Sequence, residues 1–192
     1  MKMETLENFV DITSGQIMSR ITAKENETPV CSRKVVIPKV ITSDGFLLND
    51  EMPIENLKID ASDERITQVN DIVIKLSTPF DSAIITPNDV GCVIPSFCAK
   101  IRNRGELDLN YLCAFLASKY CKDQLKAKVS GAVMSILTIG KIQSLLIPVP
   151  PKHEQKRIGE EFIKSRKNIL LMKQITELEN KRNDIIFQEL QK

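Results

Sequence analysis

The sequence predicts an α+β fold: an irregular, mixed β domain with a packed helix, followed by a long C-terminal helix suited to antiparallel, coiled-coil-like pairing. Three features carry this reading. Short β-branched runs bounded by Pro, Asn, Asp and Gly occupy the first hundred residues, with no helical pattern between them. One amphipathic stretch, LNYLCAFLASKYCKDQLKAK (109–128), follows. Beyond the prolines of LLIPVPPKHEQKRIGEEF (145–162), residues 153–190 contain no proline and one glycine, Gly159.

The expected strands are VVIPKVI (35–41), DIVIKL (71–76), SAIIT (82–86) and CVIPSF (92–97). The turn-forming PNDVG (87–91) predicts a hairpin joining the last two, with Lys100 and Ile101 extending its second strand toward Arg102 and Arg104. Pro38 and Pro95 cannot donate to a ladder, so edge positions or bulges are expected there. Strands this short, not interleaved with helices, argue against a doubly wound parallel sheet. Asp108 reads as the N-cap of a helix over 109–128, with Leu109, Leu112, Cys113, Leu116, Tyr120 and, less regularly, Leu125 on one face. Ser130 and Gly131 end it, GAVMSILT (131–138) reads as loop or strand, and LLIPVP (145–150) as a last buried strand.

Pro150 and Pro151 stop that strand and pre-set a helical first turn. The chain thus divides into a domain over 1–150 and a helix over 151–192. An unbroken helix there would be on the order of 55 Å long, more than a domain of this size can cover. Its apolar residues, spaced mostly by three, four and seven, are interrupted at Ser165 and Arg182, which suits antiparallel pairing better than a long parallel coil. The predicted interface of a homodimer comprises Ile158, Phe162, Ile169, Met172, Ile175, Leu178 and Ile185.

Composition bounds the rest. Apolar residues make up 42% and charged residues 27%, enough for a core and incompatible with global disorder. MKMETLENFV lacks a signal-peptide pattern and no run approaches the ~20 apolar residues of a membrane span, so a soluble, cytoplasmic protein is expected. Five cysteines without CxxC spacing and a single histidine, His153, suggest reduced thiols and no metal site. The net charge of +2 conceals segregation. Residues 44–71 hold eight acids against Lys58 and Arg65, a net of −6, whereas residues 98–131 carry a net of +4. Such segregation can give one face a positive potential, although solvated lysines around an ordinary helix would look the same.

Catalytic motifs are scarce. The sequence contains no GxxxxGK[ST], GxGxxG or GxSxG, and HExxH fails because residue 157 is Arg. Glu154-Gln155-Lys156 has the ExK form that some nucleases use to hold a metal, but there it lies on a strand and here it opens a helix. No catalytic residue is assigned.

The ordered pieces resemble one family. LLIPVPPKHEQKRIGEEF is similar to the "iPlPP-x-x-EQ-x-x-I" junction of type I restriction–modification specificity subunits. FVDITSGQ (9–16), VNDIVIKLS (69–77), GCVIPSFCAKIR (91–102), LDLNYLCAFLASKYCKDQL (107–125) and KVSGAVMSILTIGKIQSL (128–145) fall in that family's order, with Asn70 where its "GDIL" strand has Gly. The resemblance implies two target-recognition domains in tandem, each followed by a long helix, the helices pairing antiparallel and each domain reading half of a split DNA sequence. It implies as partners double-stranded DNA, modification subunits that methylate adenine from S-adenosylmethionine, and a restriction–translocase subunit. This chain itself would carry no cofactor. With one recognition domain and one helix it looks like a half-subunit, which physics would pair with a copy of itself about a two-fold axis.

Recognition domains vary within the family, so the candidate DNA contacts rest on the residues alone. Lys100, Arg102 and Arg104 lie along and beyond the expected second strand of the hairpin, and Arg can bond guanine bidentately. Lys75, Ser77 and Thr78 close another strand, and Lys126, Lys128 and Ser130 end the helix, where phosphate contacts fit. Phe97 and Phe115 are assigned to the core. A truncated or cassette specificity fragment, a helix-mediated interaction protein that reads no DNA, and a nuclease built on Glu154 and Lys156 are the competing readings.

Overall fold

The computed structural model describes residues 2–129 and 137–189. Among them the strands are β1 (Lys2–Thr5), β2 (Val10–Ser14), β3 (Cys31–Lys34), β4 (Ile54–Leu57), β5 (Ile72–Lys75), β6 (Ser82–Ile84), β7 (Cys98–Asn103) and β8 (Leu146–Val149). The α-helices are α1 (Leu109–Ala117), α2 (Lys119–Val129), α3 (Ile139–Gln143) and α4 (Lys152–Glu189). A four-stranded antiparallel sheet in the order β2-β7-β5-β6 forms the centre, with two-stranded pairs β1-β8 and β3-β4 beside it. No helix among the described residues is long and apolar enough to cross a membrane. The α+β class agrees with the sequence.

DIVIKL becomes β5, buried at Ile72, Val73 and Ile74, because a strand covered on both faces is apolar at every position rather than at alternate ones. It pairs with β6 in the register Ile72 to Ile84. Asn70 enters it at φ 71°, a left-handed conformation that Asn tolerates better than other residues with a side chain, so it serves where Gly would.

Several expectations change. The hairpin across PNDVG does not form: Pro87–Asp89 is a 3-10 turn closed by a Thr86–Asp89 capping box, and residues 92–97 leave β6 altogether. Val93 instead makes single bridges to Val35 and Ile66, and the next strand, β7, lies between β2 and β5. VVIPKVI is buried at Val36, Val40 and Ile41 but is not a strand, because Pro38 starts a 3-10 turn over Pro38–Val40. The single helix over 109–128 is two. Ser118 is extended at φ −68°, ψ 150°, its hydroxyl donating to the Phe115 carbonyl (2.6 Å) and accepting from the Cys121 amide (3.1 Å). A hydroxyl bonded to local backbone in this way competes with the helix ladder. Helix α3 was not anticipated. Residues 130–136, including Ser130 and most of GAVMSILT, lie outside the described residues.

Asp108 caps α1 as expected, accepting from the Tyr111 amide at 2.9 Å. The same residue receives α4. Gln155, 1% exposed, donates from Nε2 to the Pro150 carbonyl (2.9 Å) and accepts the Asp108 amide on Oε1 (2.9 Å). One turn on, Gly159 faces the start of α1 so closely that a Cβ there would stand 2.7 Å from the Tyr111 amide nitrogen and 2.8 Å from Asp108 Oδ1. Tyr111 in turn donates its hydroxyl to the Pro148 carbonyl of β8 at 2.6 Å.

From this anchor α4 runs unbroken, with further ties to the turn around Asp44. Arg166 stacks 5.0 Å from the Phe162 ring and donates to the Ser43 carbonyl (3.2 Å), and Lys173 pairs with the buried Asp44. Ile158 and Phe162, expected at an intermolecular seam, pack on the chain's own core, because the helix is fastened along its first three turns. Ile169 is half-buried. Beyond, Leu171 (56%), Met172 (67%), Ile175 (60%), Leu178 (64%) and Ile185 (56%) are exposed. At about 100° per residue, Leu171, Ile175, Leu178 and Ile185 form a stripe roughly 80° wide. It lies nearly opposite the side that carries Gln155, Gly159, Phe162, Arg166 and Lys173.

Replacing Gly159 with Ala should therefore cost about 1–3 kcal/mol of stability through overpacking against α1. Gly140→Ala, at a site with nothing within 4 Å, should be neutral or slightly stabilising. Thermal denaturation of the two variants checks the contrast.

Candidate nucleic-acid interface

The basic residues singled out in the sequence divide between the interior, one end of the central sheet and helix α2. Lys100 is 4% exposed, donates to the Ile66 carbonyl (3.2 Å) and stands 3.9 Å from the buried Asp71. Burial pushes its pKa down, against the pull of Asp71. Lys75 lies 3.1 Å from Asp81, whose other oxygen accepts from Lys122 at 2.7 Å. For Asp81, burial acts to raise the pKa, but hydrogen bonds from Lys122 and Lys75 win and hold the carboxyl below its ordinary range. Lys75 and Lys100 are thus counter-charges to interior carboxylates, and this removes them from the DNA-contact list: a buried acid must be paired.

Arg102 forks onto Asp71 through Nε (2.8 Å) and Nη2 (3.0 Å), and Nη2 also reaches Gln68 at 2.9 Å. Arg104 bonds Asp11 (3.3 Å) and the Glu7 carbonyl (2.8 Å). Both sit at the end of the sheet where β7 finishes, and both are already held by this chain. Lys128 is half-buried and donates to Ser144 Oγ at 2.8 Å, whereas Lys126 is exposed on α2.

Ser77 and Thr78 are exposed at the opposite end, where β5 and β2 finish and β7 begins. Three loops meet there. Gly15 donates to the Cys98 carbonyl (3.1 Å), Gln16 to Ile94 (2.7 Å), Ser96 back to Gln16 (2.7 Å) and Leu76 to Phe97 (3.0 Å). A Cβ at Gly15 would stand 2.0 Å from the Pro95 carbonyl oxygen, so the lacing of the 15–20 and 95–97 segments requires glycine.

Beside the lacing lies a cleft of about 350 Å³, lined by Ser14, Gly15, Gln16, Ile17, Arg20, Arg65 and Ser96. Arg20 ends the 3-10 turn Met18–Arg20 and is exposed, and its guanidinium has no hydrogen bond or ion pair among the described residues. Arg65 ends the turn Asp63–Arg65 and donates from Nη1 to Ser62 Oγ at 3.0 Å. Such a set can bind phosphate through the arginines and read base edges through Gln16, Arg20 or Ser96. Phe97, expected in the core, is 66% exposed on the same end, while Phe115 is buried. The sequence singles out Ser77 and Thr78 at this end, but not Arg20, Arg65 or the exposure of Phe97. The one available signal was Gly15-Gln16 inside FVDITSGQ.

Glu154 and Lys156 do not converge. Glu154 pairs with Arg157 at 2.7 and 3.0 Å in the first turn of α4, and residues two apart on a helix face different ways. Among the described residues no group of three or more His, Cys, Asp or Glu could hold a metal ion. Burial pushes the Cys98, Cys113 and Cys121 thiols up to about 12, the range of inert core cysteines.

A family model described as the type I restriction modification DNA specificity domain matches residues 1–180. Comparison with curated proteins finds no match. Among solved structures, the chain resembles one from work on complex assembly and conformational transition of the type I R-M system, with TM-score 0.61 and 21% identity over 94% of this chain and 43% of that one. It also resembles the HsdS subunit from Thermoanaerobacter tengcongensis (0.58, 20%, 91% of this chain and 39% of that one). The S subunit of a type I system from M. genitalium is similar too (0.56, 14%, 95% and 43%). The chain therefore spans less than half the length of each of these structures.

The two sheet ends should respond differently to mutation. Arg20→Ala and Arg65→Ala are each expected to reduce the salt dependence of duplex binding by about one unit of log–log slope. Arg102→Ala should leave the slope unchanged and lower stability by about 1–3 kcal/mol, since it strips a hydrogen-bonding partner from buried Asp71. Fluorescence anisotropy across a salt series, with melting curves, distinguishes them.

Proposed function

This chain belongs to the family of type I restriction–modification DNA specificity domains, and from that premise we propose that it is a non-catalytic, sequence-specific DNA-binding half-subunit that works as a homodimer. The observation that carries this reading is the stripe Leu171, Ile175, Leu178 and Ile185, exposed on the side of α4 turned away from its own domain. Burying each of these side chains would gain about 1.5–3 kcal/mol, so four per copy are ample to drive association. A two-fold axis across the distal halves of two α4 helices runs them antiparallel and sets the recognition domains at opposite ends.

Identical heads in opposite senses read an inverted repeat, and the length of the rod fixes the spacer. The sheet end that carries the cleft then faces DNA, with Arg20 and Arg65 on the backbone and Gln16 and Ser96 toward base edges. In this reading the dimer positions adenine-methylating modification subunits, which bind S-adenosylmethionine, and a restriction–translocase subunit can join. The chain's own part is to bind, orient and measure. The chemistry is the partner's.

Sedimentation of the purified chain should show a dimer, and the double variant Ile175→Asp/Leu178→Asp should sediment as a monomer without loss of helix by circular dichroism. Duplexes selected by the wild type from a random pool should carry an inverted repeat, and those selected by the monomeric variant one half of it. A double variant that stays dimeric would refute the seam.

A further inference from the structure

Phe97 is exposed on a backbone that cannot relax. Its carbonyl accepts from Leu76, the preceding Ser96 amide donates to Gln16, and the following Cys98 amide donates to Pro95 at 2.9 Å. Gly15 closes the other side of this loop to within a distance that no side chain permits. An aromatic ring held 66% exposed on a rigid loop forgoes the gain of burial and gives up little further backbone freedom on binding. Ile17, 42% exposed on the partner loop, adds a second apolar group to the same end. Leu76, which precedes Ser77 and Thr78, is bonded to the Phe97 carbonyl, and the neighbouring Ser96 lines the cleft that holds Arg20 and Arg65.

Apolar tip and cationic flank together select the occupant. A protein surface would accept the ring, but the cleft beside it is lined by Ser14, Gln16, Arg20, Arg65 and Ser96, groups that suit phosphates and base edges. Rigid apolar side chains presented to a duplex beside phosphate-binding arginines unstack a base step and bend the helix around it. We propose that Phe97 is a wedge that inserts at a base step of the recognised half-site and stacks on the exposed base. The inference rests on the DNA-reading function argued above and adds a mode of readout: sequence is sensed partly through the cost of opening one step, lowest at pyrimidine–purine steps. A base that a methyltransferase modifies must leave the stack, and a step already opened by the wedge lowers that cost.

The test uses the full chain and the duplex it enriches from a random-sequence pool, with 2-aminopurine substituted at each position in turn. Insertion should raise the fluorescence at one step on binding. Phe97→Ala should abolish that rise and weaken binding about 10- to 100-fold, the range expected for one base–aromatic stack. Because the substitution removes no charge, the salt slope should not change, and because the ring is exposed, neither should the melting temperature. Phe97→Tyr should keep both the fluorescence rise and the affinity. Wild-type affinity in Phe97→Ala, or no fluorescence rise at any position with the wild type, overturns the wedge and leaves DNA reading intact. Failure of the wild type to enrich any sequence instead overturns the DNA-reading function itself, and the wedge with it.

Discussion

The side-chain amide of Gln155 holds the two parts of this molecule in one geometry. It is buried at the point where strand gives way to rod, bonding the Pro150 carbonyl on one side and the Asp108 amide on the other. Asp108 is also the cap of α1, so a single residue pair ends the domain's last strand, starts its main helix and fixes the exit of α4. Gly159 completes the joint by letting the helices touch backbone to side chain. A rod that projects from a domain keeps a fixed direction only when it is stiffly attached. Here the stiffness comes from a satisfied buried amide, whose loss would leave a carbonyl and an N–H unpaired in the interior.

The charges follow a related economy. Asp71 and Asp81 are buried, and each draws in basic groups that the sequence alone marks as surface cations: Lys100 and Arg102 for the first, Lys75 and Lys122 for the second. The apparently basic segment 98–131 is therefore partly internal wiring. What remains outward at the laced end of the sheet is a small set, Arg20 and Arg65 beside neutral hydrogen-bonding groups. This is consistent with a chain whose net charge is only +2.

The proposed reading by a few groups demands that those groups be held still. The lacing of the 15–20 and 95–97 segments supplies that rigidity without a regular strand, through a parallel bridge between Gln16 and Pro95 and the absence of a side chain at Gly15. The loops can then differ in their exposed residues while the backbone hydrogen bonds that shape them persist.

By itself the sequence determined what depends on neighbours along the chain. The uninterrupted helix after Pro151, the Asp108 cap, the buried strand in DIVIKL and the apolar spacing of Ile175, Leu178 and Ile185 all follow from propensity, capping chemistry and period, which act over a few residues. Tertiary structure alone decided that VVIPKVI is core without being strand, that Ile158 and Phe162 turn inward while Leu171 and Ile175 stay out, and that Phe97 stands exposed. It also decided which lysines are spent on interior acids, and it put Arg20, Arg65 and Ser96 around one cleft. The physical reason is the same in each case. Burial of a charge and closure of a loop onto a distant carbonyl are settled by groups far away in sequence, and no local period records them.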